Sequence, residues 1–286
     1  MRRLLSIILL AAAILPASAR SERLSVMTFN VSGQAVDEGG DHSWEARKKA
    51  CMKAIKKYDP DVIFLQDAYS YHKAYLMKEF PKHTLVDRSA KPGQVDQEIK
   101  NNENPVMFRA DRFELLDYGS FWLNEDQEED APGWDASSAR NVTWMKLRYK
   151  KSGLMFFCFN TRFDEGGEAS FRRGGELIVD KVKEIAGDDA VVFLGGDFCL
   201  SSSDRLLSTM TAYLKDANHL MKSPDTRASF NGYGKPGDKM PWPDHIFCRK
   251  AKPVTYEVVD SRKFGTRYIS LHYPIYAEFD IAIPKG

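Results

Sequence analysis

The side chains of this sequence that could do chemistry are polar residues at the ends of apolar runs. Asn30 closes Met27-Thr28-Phe29, Asp67 follows Val62-Ile63-Phe64-Leu65-Gln66, and Asp197 follows Leu194-Gly195-Gly196. Strand ends open to solvent where loops converge, and binding sites form there. Arg162 follows Asn160-Thr161, Cys199 comes two residues after Asp197, and Asp244 and His272 lie further along. Carboxylates and an imidazole can exchange protons with a water or a leaving group. A carboxylate can also hold a hard divalent cation, which needs only one or two protein carboxylates when waters complete its shell. Arg162 is a permanent cation whose planar fork matches phosphate oxygens. Cys199 would be a nucleophile only with a lowered thiol pKa, which sequence does not establish. Each residue also has a structural explanation: an Asp after Gly-Gly caps a turn, and a lone His packs on a surface.

The elements that must position these groups follow from hydrophobic period. Leu24 to Phe29 reads as a strand. Ser43 begins a helix in which Trp44, Arg47, Cys51, Ala54, Ile55 and Tyr58 recur at helical spacing until Asp59-Pro60 stops it. Residues 62–65 form a buried strand. Val106 to Arg109 and Leu115 to Leu123 are strands separated by Ala110-Asp111, and residues 124–138 form an acidic loop with Gly and Pro. Thr143 to Arg148 and Leu154 to Asn160 form a hairpin across Lys151-Ser152-Gly153. A helix with Leu177, Ile178, Val182 and Ile185 on one face follows, and then a strand over Val191 to Leu194. This order departs from a strict βαβ repeat and predicts a layered α/β architecture.

Residues 1–19 have the layout of a cleavable signal peptide: Met1-Arg2-Arg3, an apolar run from Leu4 to Leu15, and Ala17-Ser18-Ala19 before the expected cut. The run is shorter than the ~20 residues that span a bilayer, so no membrane anchor is expected. One domain over residues 20–286, secreted or periplasmic, is the expectation. Lys plus Arg number 41 against 40 Asp plus Glu. That balance gives no large positive field to concentrate a polyanion and no strong sign of nucleic-acid binding. Cys51, Cys158, Cys199 and Cys248 lack CxxC spacing, which argues against zinc and for buried free thiols. An oxidising compartment would permit one disulfide among them.

Taken in order, Met27-Thr28-Phe29-Asn30, Trp44-Glu45-Ala46-Arg47, Pro60 through Asp67, Phe121-Trp122-Leu123, Asn160-Thr161, Gly196-Asp197-Phe198, Asp244-His245-Ile246-Phe247 and His272-Tyr273-Pro274 resemble the motifs of the endonuclease/exonuclease/phosphatase family. The resemblance implies a DNase I-like, four-layer sandwich: two packed mixed β-sheets flanked by helices, with the site at one end. It also implies metal-assisted hydrolysis of a phosphoester. On it, Asp197 matches the residue that positions or deprotonates water, Asp244 orients His272, His272 stabilises developing negative charge, and Asn30 orients the phosphoryl group.

Four positions depart from the family pattern. Asp67 stands for the glutamate that is the chief metal ligand, Cys199 for an asparagine, Arg162 for a histidine, and Leu271 for an aspartate. Asp67 withdraws the carboxylate by one bond of ~1.5 Å, and misplacement of about 1 Å can cost roughly a hundredfold in rate. The expectation is therefore Mg²⁺ or Mn²⁺ held by Asp67, catalysis by Asp197, Asp244 and His272, and a small phosphodiester or phosphomonoester oriented by Asn30, Arg162 and Cys199. Turnover is expected to be reduced. The alternative is a non-catalytic relative that binds an anionic phosphate or sugar-phosphate in the same cleft.

Overall fold

Strand β1 (Ser21–Asn30) is buried from Leu24 to its last residue, and strand β2 (Val62–Gln66) is buried throughout. Uninterrupted burial means that both faces of these strands are covered. Leu24, Val26, Val62 and Phe64 point into one apolar layer, whereas Met27, Phe29, Ile63 and Leu65 point into another. The second layer is closed by helix α1 (Trp44–Tyr58), through Trp44, Cys51, Ala54 and Ile55. Ser43 caps the start of this helix with its side chain, and Asp59, in the left-handed region, ends it. The limits agree with the sequence expectation.

The computed structural model describes residues 20–32, 40–88, 90–96 and 104–283. The expected signal peptide over residues 1–19 lies outside them. After β2 come helix α2 (Ser70–Glu79), β3 (His83–Val86), β4 (Val106–Arg109), β5 (Phe113–Trp122), β6 (Asn141–Tyr149) and β7 (Met155–Arg162). Helix α3 (Glu168–Ala186), β8 (Val192–Asp197), the short helix α4 (Ser208–Tyr213), β9 (Lys215–Asp216), β10 (Asp244–Arg249), β11 (Lys252–Val258) and β12 (Ile275–Ala282) complete the order. One sheet runs β11-β12-β1-β2-β4-β3 and the other β5-β6-β7-β8-β10-β9. Each is mixed, with one parallel pair, β1 with β2 and β7 with β8. Helices α1 and α2 cover the first sheet, and α3 and α4 the second. The result is the four-layer, DNase I-like sandwich.

Sequence period does not reveal α2. Its buried residues are His72, Lys73 and Leu76, and Lys73 Nζ meets Asp87 Oδ2 at 2.8 Å with both side chains fully buried. A helix whose inner face is mostly polar carries no apolar stripe to read. The close approach of the two sheets is set at Gly195, where a Cβ would lie 2.1 Å from the Phe64 ring. Below the rim, Asn160 Nδ2 donates to Leu65 O at 2.7 Å and Pro105 O at 2.9 Å, while Gln66 Nε2 donates to Asn160 Oδ1 at 2.7 Å. These two motif residues are fully buried ties between the sheets.

Candidate active site

Strand register does most of the assembly. Arg162, the last residue of β7, is the Cα partner of Asp197, the last residue of β8, and Asp197 is the partner of Asp244, the first residue of β10. Three candidate side chains therefore leave one sheet edge side by side. Asn30, at the end of β1, reaches them from the other sheet, its Nδ2 donating to Asp197 Oδ2 at 2.9 Å. The Asn30 amide is held by Ser32 N, which donates to Oδ1 at 2.9 Å. His272 precedes β12. Its Nδ1 lies 2.8 Å from Asp244 Oδ2, which leaves Nε2 directed to Asp197 Oδ2 at 3.9 Å. Ser270 fastens this segment to β1, its Oγ donating to Asn30 O at 2.6 Å.

Arg162 sits at the centre. Nη1 donates to Asp67 Oδ1 at 2.7 Å, Nε to Asp197 Oδ2 at 3.3 Å, and Nη2 lies 3.6 Å from Glu165 Oε1. Asp67 and Cys199, which exit β2 and β8, are non-glycine residues with φ of 53° and 55°. Such backbone is costly and collects at functional sites. Cys199 Sγ faces Phe163 O at 3.5 Å and Asp197 Oδ1 at 3.6 Å. The structure thus gathers all seven residues singled out from the sequence into one cluster. It opens onto a cavity of about 180 Å³ whose further walls include Phe230, Lys239 and Met240.

Sequence reading did not find Glu165, Phe230 or Lys239, because each lies in a loop with no periodicity. Lys239 Nζ donates to Glu165 Oε2 at 2.7 Å across the mouth. Arg140 and Arg173, two further arginines of the sequence, lie apart from the cluster's ion pairs. Arg140 pairs with Asp164 at 2.9 Å, and Arg173 is exposed on α3. Asn141, in an Asn-Val-Thr sequon, is buried and receives the Asn104 amide at 2.9 Å. All four cysteines are free thiols.

Residues 27–263 match the family model described as endonuclease/exonuclease/phosphatase family. The chain belongs to this family. Among solved structures, it is similar to an endonuclease/exonuclease/phosphatase from Bacteroides vulgatus, with a TM-score of 0.80 and 25% identity over 91% of this chain and 99% of that one. It also superposes on a mannosyl-6-phosphatase from Bacteroides thetaiotaomicron, with a TM-score of 0.78 and 21% identity over 90% and 99% of the two chains. An uncharacterised mimivirus protein, R895, is 22% identical over 293 residues, covering 90% of this chain and 42% of its own length. Nocturnin from Xenopus laevis is 29% identical over 115 residues, 35% of this chain and 29% of that protein. The chain therefore spans less than half the length of these two curated relatives.

The electrostatics of this family member's site follow from burial and pairing. Burial pushes the Asp197 carboxyl up, but His272, Arg162 and the Asn30 amide outweigh it and hold the group below the usual carboxylate range. Burial disfavours the His272 imidazolium, yet Asp244 and Asp197 more than compensate and raise its pKa above 6.5. Burial pushes the Cys199 thiol well up, reinforced by Asp197, so Cys199 is protonated at neutral pH and unsuited to nucleophilic attack.

A pH dependence follows. A raised histidine contributes stability that is complete below its unfolded pKa of about 6.5 and is lost as pH rises through the folded value. A depressed Asp197 contributes stability that is complete above about 3.8 and is lost as pH falls through its folded value. The stability gap between the native protein and His272→Gln, measured as urea midpoints, is expected to be widest below pH 6.5 and to shrink as pH rises above it. A gap independent of pH between 5 and 9 would contradict the pairing.

Family members generally use a divalent metal, and Asp197, Asp244 and His272 form a possible ligand group, with one ligand atom from each within 4.8 Å of the others. Most ligand atoms of this group are already engaged, whereas Asp244 Oδ1 is buried without a hydrogen-bond partner. Asp197 Oδ2 accepts from Asn30 and Arg162, and Asp244 Oδ2 holds His272 Nδ1. At Asp67, the carboxylate faces a guanidinium, and Leu271 supplies no ligand atom. Among these residues, the set at Asp67 does not fit a divalent ion as arranged.

Proposed function

We propose that residues 20–286 form one hydrolytic domain, exported by the segment over residues 1–19, that cleaves a small phosphomonoester or phosphodiester with reduced turnover. The observation that supports it most is the chain of contacts from Asp244 through His272 to Asp197 and Asn30, of which His272 and Asp197 line a cavity large enough for a phosphate group. In this proposal the phosphoryl oxygens meet the His272 imidazolium and the Arg162 guanidinium, which stabilise the charge developing on them. Asp197, held by Asn30, orients a water and takes its proton late, since a carboxylate with a depressed pKa is a weak base. Asp244 fixes the ring so that Nε2 faces the substrate.

The balanced charge of the sequence, 41 cationic against 40 acidic residues, favours a small ester over bulk nucleic acid. The likeness in fold to a mannosyl-6-phosphatase makes a hexose 6-phosphate a reasonable first substrate. Among the described residues, no helix is long and apolar enough to cross a membrane.

The test is release of p-nitrophenol from p-nitrophenyl phosphate and its bis-ester, and of inorganic phosphate from mannose 6-phosphate, by folded protein, with EDTA and separately with Mg²⁺ or Mn²⁺, beside His272→Ala. Turnover that vanishes in the variant supports the hydrolase. Background rates on every substrate favour the second reading, a non-catalytic phosphate or sugar-phosphate binder. Its own motivating observation is that Cys199 and Leu271 stand where polar site groups are expected.

A further inference from the structure

The Arg162 guanidinium is held by carboxylates on three sides: Asp67 at 2.7 Å, Asp197 at 3.3 Å and Glu165 at 3.6 Å. Its side chain and that of Asp67 are only 16% and 14% exposed, so the pair is largely buried, with Arg162 on the cavity wall. We propose that Arg162 is a built-in cation occupying the place of a divalent ion at Asp67, and that this site receives phosphate without a metal. The inference rests on the cleft being a phosphate site, and it names how that site is charged.

Three observations converge on it. First, the two changes are matched in size. An aspartate draws the carboxylate back by about one methylene relative to a glutamate, and an arginine extends well beyond a histidine, so the guanidinium fills the space that the shorter acid leaves. Second, the carboxylates of the site already have cationic partners, three cations against four carboxylates. The cations Arg162, His272 and Lys239 face the carboxylates of Asp67, Asp197, Asp244 and Glu165. A divalent ion entering beside Asp67 would meet a fixed positive charge within a few ångströms, in a buried setting where such repulsion is poorly screened. Third, Leu271 brings no ligand atom to a position where a metal site would use a carboxylate, yet its backbone remains ordered. Its N–H donates to Ser32 Oγ at 2.9 Å, and its carbonyl accepts from Asn231 at 2.8 Å. The backbone at Leu271 is thus tied on both sides, and what its side chain lacks is a ligand atom.

A guanidinium differs from a metal in what it can offer. It stabilises phosphate oxygens by hydrogen bonds and charge, but it does not acidify a bound water. The water must then rely on Asp197 alone, which agrees with the lowered turnover proposed above.

The experiment uses the full domain and reads binding, not turnover. Mn²⁺ is titrated against the protein while free Mn²⁺ is followed by electron paramagnetic resonance, and inorganic phosphate is titrated by calorimetry in EDTA. The native protein is expected to take up no Mn²⁺ at millimolar concentration and to bind phosphate equally with EDTA or Mn²⁺. Arg162→Gln should weaken phosphate at least tenfold. Arg162→Lys, which keeps the charge without the fork and guards against a folding defect, should fall between them. The triple variant Asp67→Glu, Arg162→His, Leu271→Asp should gain a Mn²⁺ site. Stoichiometric Mn²⁺ binding by the native protein that disappears in Asp67→Asn would overturn the proposal and leave the phosphate reading standing. Absence of phosphate binding under every condition would overturn both.

Discussion

Asp197→Asn is expected to lower kcat/KM on any ester the protein hydrolyses by about a thousandfold or more, while circular dichroism shows a folded chain. Asp197 Oδ2 is the shared acceptor of the Asn30 amide at 2.9 Å and of Arg162 Nε at 3.3 Å, and it lies 3.9 Å from His272 Nε2. An amide in its place retains one acceptor and presents an NH₂ to groups that are themselves donors. The water loses its proton acceptor and its orientation together, effects that contribute on the order of 10²–10⁴ and more when combined. The change sits at the rim, above the Gly195 contact between the sheets, so a loss of about 1–3 kcal/mol from one disturbed buried acceptor leaves the core assembled. Retention of more than a tenth of native activity in Asp197→Asn would remove Asp197 from the reaction.

The second large effect is on stability and lies one layer away. Arg47→Met is expected to destabilise the protein by about 3–5 kcal/mol, lowering the midpoint of thermal unfolding by roughly 10 °C. Arg47 belongs to the Trp44-Glu45-Ala46-Arg47 motif, and its side chain is fully buried. The guanidinium donates to His42 O at 2.6 Å, Val31 O at 3.1 Å, Ile269 O at 2.7 Å and Ser32 O at 3.2 Å. It thereby joins the first turn of α1, the exit of β1 and the segment that carries Ser270, Leu271 and His272. Methionine preserves much of the volume and none of the donors, so buried carbonyls lose their partners. Because His272 hangs from the same segment, activity should fall along with stability. An unchanged midpoint by differential scanning calorimetry would show that Arg47 is dispensable to the scaffold.

The two arginines divide what was legible in the sequence from what was not. Arg47 recurs on the buried face of α1, a periodicity that a linear reading can follow because 3.6 residues per turn stack i, i+3 and i+4 on one side. The limits of α1 and the existence of β1, β2, β4 to β8 and α3 were legible for the same reason: apolar period and local caps are properties of neighbouring residues. Helix α2 was not, since it buries His72 and Lys73 and completes Lys73 with Asp87 from beyond its own end. The seven residues of the cluster were legible as a set through the order of their motifs, and Asn30, Asp67 and Asp197 also through their places after apolar runs. Their pairings were not. From the sequence, Asp67 reads as a cation ligand and Arg162 as a phosphate ligand, and nothing local says that they meet. They meet because β7 lies beside β8 in parallel register with Arg162 opposite Asp197, and because the first sheet packs against the second closely enough at Gly195 to bring the exit of β2 to the same edge. Sequence by itself determined which groups are present and, for Asn30, Asp67 and Asp197, that they follow apolar strands. Only the tertiary structure decided that the guanidinium is held among carboxylates, because a charge buried between two sheets takes the partners that register and packing place within reach.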